Sequence, residues 1–184
     1  MNYEILMAFS VATFFLALSP GPDNIFVLIQ SISNGKKYGL AVVAGLMTGC
    51  LVHATLLAFG VSAIIKNSTT LFTIIKFFGA AYLVYLAIMV YRGGDVISIV
   101  VGEKKKSKLS LFKQGFIMNV LNPKVTIFFL AFFPGFLFSD SLNNVIQFYT
   151  LGVLFILVSS FVFGAIAILA GQISSFLTNN KRTG

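Results

Sequence analysis

Charge is what this sequence has least of: five acidic residues, thirteen lysines and arginines and one histidine among 184 residues. A soluble domain of this length needs a charged surface to cover its core, so the shortage excludes an ordinary soluble fold. The single cysteine, Cys50, excludes an intrachain disulfide and leaves the redox compartment unread. With one histidine and so few acids, no nucleophile–base–acid set, paired-carboxylate site or phosphate loop is visible, so no enzyme is expected and no cofactor. Cys50 and His53 lie one turn apart, but two ligands do not make a metal site. The first residues, Met1-Asn2-Tyr3-Glu4, lack the lysine or arginine that opens a cleavable signal peptide, and the first apolar run reads as a retained helix. The net charge of +8 comes without a basic stripe interleaved with aromatics, which argues against a nucleic-acid partner.

What the sequence has is apolar length. Hydrophobic residues make up 58% of the chain and the mean hydropathy is +0.96. Five stretches reach the roughly 20 residues needed to span a bilayer. They cover about residues 5–32, 38–65, 71–91, 114–138 and 145–176, with a polar, lysine-bearing loop over 92–113 between the third and fourth. The expected fold is an all-α integral membrane protein, a polytopic helical bundle of five spans in a single domain over 1–184. Lys36, Lys37, Arg92, Lys104, Lys105, Lys106, Lys108, Lys113, Lys181 and Arg182 fall on one side of it, and only Lys66 and Lys76 flank the other. By the positive-inside rule the N-terminus is expected outside and the C-terminal tail inside. Ala41, Gly45, Gly49 and His53 share one helix face, and Ser160, Gly164, Ala167 and Gly171 share another, both of the small-residue kind that lets helices pack closely.

Two places break the apolar pattern. In Ser19-Pro20-Gly21-Pro22-Asp23-Asn24 two prolines remove backbone donors, so the first helix must open beside a carboxylate. In Asn119-Val120-Leu121-Asn122-Pro123-Lys124 a proline again breaks a helix, and a lysine follows at once. A charge near the bilayer centre costs about 2.5–3.5 kcal/mol on insertion scales, so each needs a partner or a task. The segments after the two breaks resemble each other, and three spans separate them, so they run in opposite directions. The arrangement reads as an inverted repeat of three-helix units, the first over about 1–91 and an incomplete second over about 114–184, with broken helices one and four meeting at the midplane. Opened helix ends offer N–H groups to a carboxylate and carbonyls to an ammonium. A small zwitterion carries both, with Asp23 placed for its ammonium and Lys124 for its carboxylate. Asp23 and Lys124 could instead simply neutralise each other as a structural pair. Pro20, Gly21, Pro22, Asp23, Asn24, Asn122, Pro123 and Lys124 are therefore the candidate substrate site. Asp23 and His53 are candidates for carrying a coupling proton, although His53 could instead make an interhelical hydrogen bond. Tyr82 and Tyr85 are cavity-lining candidates, and Tyr91 suits the interfacial belt.

At these residues the chain resembles the lysine exporter family. Leu18-Ser19-Pro20-Gly21-Pro22-Asp23, the run from Phe78-Gly79 through Tyr82, Tyr85 and Leu86, and Phe116 through Asn122-Pro123-Lys124 are similar to its three signatures, most of all in the threonine/homoserine/leucine exporter branch. The resemblance implies proton-coupled export, by antiport, of a small neutral or basic amino acid, six spans and a homodimer in the lipid of a prokaryote's cytoplasmic membrane. Two departures stand out: Pro134-Gly135-Phe136 replaces a family Pro-Gln-Phe, and the sixth helix is expected where the chain stops. The competing expectation is a non-transporting truncated membrane protein or a helix-packing subunit.

Overall fold

The computed structural model describes residues 2–61, 68–92 and 106–179, and every regular element among them is helical. Helix α1 (Tyr3–Leu18) starts where the Asn2 side chain accepts hydrogen bonds from the Glu4 and Ile5 amides, and it stops two residues before Pro20. Helix α2 (Pro22–Asn34) has Pro22 in its first turn, where a missing N–H costs nothing. Gly35, at φ +94°, turns the chain directly into α3 (Lys36–Leu56), which runs on as a wider turn over Leu57–Val61. Helix α4 is Thr69–Tyr91. Helix α5 (Lys108–Val120) is capped by the Ser107 side chain. After Leu121, helix α6 (Pro123–Ile127) is capped by Asn122 and continues as a wide turn over Phe128–Phe132 and a tight one over Phe133–Phe136. The last described element is α7 (Asn144–Asn179).

These elements match the apolar stretches read from sequence, with one shift. The fourth helix begins at Lys108 rather than near residue 114, because Ser107 supplies a cap and Leu111 is buried in the bundle. Lys108 and Lys113 thus belong to a helix and not to the preceding loop. Residues 62–67, 93–105 and 180–184, including Lys66, Lys104, Lys105, Lys181 and Arg182, lie outside the described part. Among the described residues, Lys36–Val61 and Asn144–Ile173 are each long and apolar enough to cross a membrane. The pairs α1 with α2, bent by 60°, and α5 with the segment from Pro123 to Phe136, bent by 48°, each qualify as one broken span. Large apolar side chains such as Phe15, Phe77, Phe161 and Leu157 are exposed all around the bundle. Water would punish such a surface; lipid does not.

Helix α3 is the axis of the bundle and packs on α5, α7 and α2. Its approach to α5 is backbone to backbone. A Cβ at Gly45 would collide with the Phe112 carbonyl and come within 2.8 Å of the Phe116 nitrogen, while one at Gly115 would sit 2.5 Å from the Val42 carbonyl. The small-residue face read on the second helix therefore meets α5. The second stripe is split: Ala167 is fully buried and Gly171 abuts the Lys36 backbone, but Gly164 has nothing within 4 Å. Phe9, Phe128, Phe129, Phe133 and Phe155 form an aromatic core, with ring centroids as close as 4.1 Å for Phe129 and Phe133.

Candidate functional site

The prolines decide what the site looks like, because each orphans the carbonyl four residues before it. Pro20 cannot donate to Leu16, and Lys124 Nζ reaches across to take the Leu16 carbonyl at 3.0 Å and the Ser19 carbonyl at 2.9 Å. The neighbouring Ala17 carbonyl accepts from Asn24 Nδ2 at 2.6 Å. Pro123 cannot donate to Asn119, and His53 Nε2 stands 3.1 Å from the Asn119 carbonyl. A carbonyl only accepts, so Nε2 is the protonated nitrogen. The amide of Asn122 donates to the same carbonyl at 3.0 Å. Lipid offers no replacement donor, so each break is closed by a polar side chain from another segment.

Asn122 links the two breaks. Its Oδ1 accepts from the Lys124 amide at 3.0 Å, capping α6, and its Nδ2 donates to Asp23 Oδ2 at 2.9 Å. The other Asp23 oxygen, Oδ1, is buried without a hydrogen-bond partner. Asp23 and Lys124 are therefore not hydrogen-bonded to each other, as a mutually neutralising pair would be; each is held by the opposite helix break. Asp23 sits in the first turn of α2 and Lys124 lies against the last turn of α1, so each charge complements a helix end.

Both side chains line one cavity between α1, α2, α3, α5, α6 and α7, together with Gly21, Asn24, Asn119 and Asn122. Its apolar walls include Met47, Phe155 and Phe163. The space open to the centre of a water molecule is about 30 Å³, room for two or three waters at roughly 10–15 Å³ each. Asn24 and Lys124 stand beside Gly21, where a Cβ would make ordinary contact with Lys124 Nζ at 3.6 Å.

Of the residues singled out in the sequence, Gly21, Asp23, Asn24, Asn122 and Lys124 line this cavity. Pro20, Pro22 and Pro123 shape it through the backbone and are not among its walls. His53 is buried one layer behind, tilted against Phe129 at 5.4 Å between ring centroids. Tyr82 and Tyr85 stand elsewhere, their rings 6.0 Å apart. Helix α4 docks on the outside of the Phe128–Phe132 segment, with Gly79 against Ala131, so its tyrosines do not reach the cavity described here. Sequence reasoning passed over Asn119 and Ser159 as lining residues. Asn119 had a readable signal, since it stands four residues before a proline. Ser159 had none, because the Ser159-Ser160 pair does not say which hydroxyl faces inward. Among the described residues, no group of three His, Cys, Asp or Glu side chains could hold a metal ion.

The model of the LysE type translocator family matches residues 14–183. A homoserine/homoserine lactone efflux protein of Salmonella typhimurium is 32% identical over 182 residues, covering 99% of this chain and 88% of that relative. The protein of the same name from Salmonella typhi matches equally well, and a membrane protein of Vibrio cholerae is 27% identical over 96% of this chain and 86% of its own. No solved structure matches.

Proposed function

The chain belongs to the LysE type translocator family, an exporter of amino acids and not an enzyme, and from that premise we propose that it carries homoserine or a similar small neutral amino acid out of the cytoplasm in exchange for protons. The observation that carries this reading is the meeting of one acid and one base, from the two helix breaks, in a single cavity where Asp23 Oδ1 has no partner. A zwitterion needs an acceptor for its ammonium and donors for its carboxylate. Asp23 Oδ1 is the acceptor. Lys124 uses two of its three N–H donors on carbonyls, which leaves one for the carboxylate. The first-turn amides of α2, which have no side-chain cap, add to it. The names of the two Salmonella relatives support homoserine. The Phe155 and Phe163 walls favour a neutral side chain over a basic one, because no second carboxylate stands among the lining residues.

Exchange follows from the single carboxylate. Asp23 binds a proton or an ammonium, not both, so loading one expels the other. The cavity is too tight for an amino acid as it stands, so binding parts α1 from α2 and α5 from α6 at their breaks, where few backbone hydrogen bonds resist bending. His53, on the Asn119 carbonyl, is the second candidate for carrying the coupling proton.

The test is efflux of labelled homoserine from preloaded proteoliposomes carrying wild-type, Asp23→Asn or Lys124→Met protein at matched membrane levels. Both variants should fall to the protein-free background. Full efflux by either would sink the site.

A further inference from the structure

Three buried side-chain polar atoms of the described residues have no hydrogen-bond partner: Thr13 Oγ1, Asp23 Oδ1 and Ser159 Oγ. Two of them, on Asp23 and Ser159, line the same cavity, and the mechanism above uses only one. Ser159 is 1% exposed and lies in the middle of α7, where a hydroxyl ordinarily returns its proton to the carbonyl four residues back. Ser10, Ser31, Thr48, Thr55 and Thr150 all do so in this chain, at 2.7–2.9 Å. Ser159 does not, although Phe155 offers that carbonyl. A hydroxyl kept out of its local bond at a cavity wall is available to a guest.

Resting on the amino-acid export reading, we propose that Ser159 is the specificity-determining contact for the substrate side chain. Its hydroxyl bonds the side-chain oxygen of a short hydroxylated amino acid while Asp23 and Lys124 hold the α-ammonium and α-carboxylate. Of the other polar walls, Asn24 Nδ2 is committed to the Ala17 carbonyl, both ends of the Asn122 amide to Asp23 and the α6 cap, and Asn119 Oδ1 accepts the Cys50 thiol at 3.7 Å. The rest of the wall near Ser159 is aromatic, from Phe155 and Phe163. An aliphatic side chain of equal size fits those rings but strands the Ser159 hydroxyl. Ser159 can then fall back on the Phe155 carbonyl, so discrimination should be moderate and not absolute.

The experiment compares flux of labelled homoserine and of norvaline, its near-isostere with a methyl for the hydroxyl, through proteoliposomes of wild-type and Ser159→Ala protein. Wild type should favour homoserine, and Ser159→Ala should lower the homoserine-to-norvaline ratio about tenfold, the size of one hydrogen bond of roughly 1.4 kcal/mol. Norvaline flux reports that the variant is folded. An unchanged ratio, or an equal loss of both fluxes, overturns the role of Ser159. If wild type moves neither amino acid, the export reading itself fails and this assignment falls with it.

Discussion

At the scale of single residues, the lesson lies in how Asp23 and Lys124 are held. A buried ion pair can be removed as a unit with little loss, because deleting one partner strands the other. Here Lys124 closes the Leu16 and Ser19 carbonyls and Asp23 takes the Asn122 amide, so neither is the other's hydrogen-bond partner. The double variant Asp23→Asn/Lys124→Met should therefore fail to recover homoserine efflux, and recovery to the wild-type rate would restore the mutual-pair reading. Gln147 is a residue of another kind. It is 1% exposed, its Oε1 accepts from the Phe138 and Ser139 amides, and its Nε2 donates to the Ser139 and Leu142 carbonyls. One side chain thus closes the turn before α7. Gln147→Leu should destabilise the protein by at least about 2 kcal/mol, since each buried group left unpaired costs roughly 1–3. About 2 kcal/mol should lower the melting temperature in detergent by roughly 4–8 °C in a chain this size, so a value within about 1–2 °C of wild type would contradict that.

At the scale of elements, the two broken helices share one design. Each has a proline opening its second half, an ionisable residue directly after it, and an orphaned carbonyl closed from another segment. Pro123→Ala returns an N–H to the Asn119 carbonyl and competes with His53 for it. Pro123 stands at the first position of α6, where proline is well tolerated, so the variant should stay within about 1 kcal/mol of wild type in stability. Straightening would pull Asn122 from Asp23, and efflux should drop at least about tenfold, or roughly 1.4 kcal/mol of barrier. Efflux at the wild-type rate would mean that the break is not needed for transport. The glycines of α3 and α7 make a second contrast. Gly45→Ala puts a methyl into the α5 backbone, which cannot yield, whereas Gly164→Ala meets open space. The first should lower the detergent melting temperature by several degrees, overpacking costing about 1–3 kcal/mol, and the second should not. Equal behaviour of the two would place the helix contacts elsewhere.

At the scale of the whole molecule, charge is sorted by end. The Gly35 turn lies beside Gly171, and Lys108 stands 5.9 Å over the Tyr38 ring, so Lys36, Lys37 and Lys108 share one end. At the other end the Asn2 amide donates to the Phe138 carbonyl, which brings Glu4 near Asp140. The basic end is expected inside, as the lysine and arginine bias demands. Cysteines placed at Ser107 and Ser141 report on this, with Cys50 buried and silent. An impermeant maleimide on intact cells should label position 141 and not 107, and the reverse pattern would invert the topology. Much of this architecture is determined by the sequence alone. Apolar length specifies spanning helices, proline specifies where two of them break, and the placement of lysine specifies the ends, because each of these is a local property the bilayer enforces. The company each polar group keeps was decided only by tertiary structure. That Lys124 caps α1, that His53 repairs the Pro123 break, that the tyrosines of α4 stand off the cavity and that Ser159 faces into it all depend on contacts between segments far apart in the chain. No periodicity encodes those contacts, since a polar residue in a helix declares its need for a partner but not which helix will supply it.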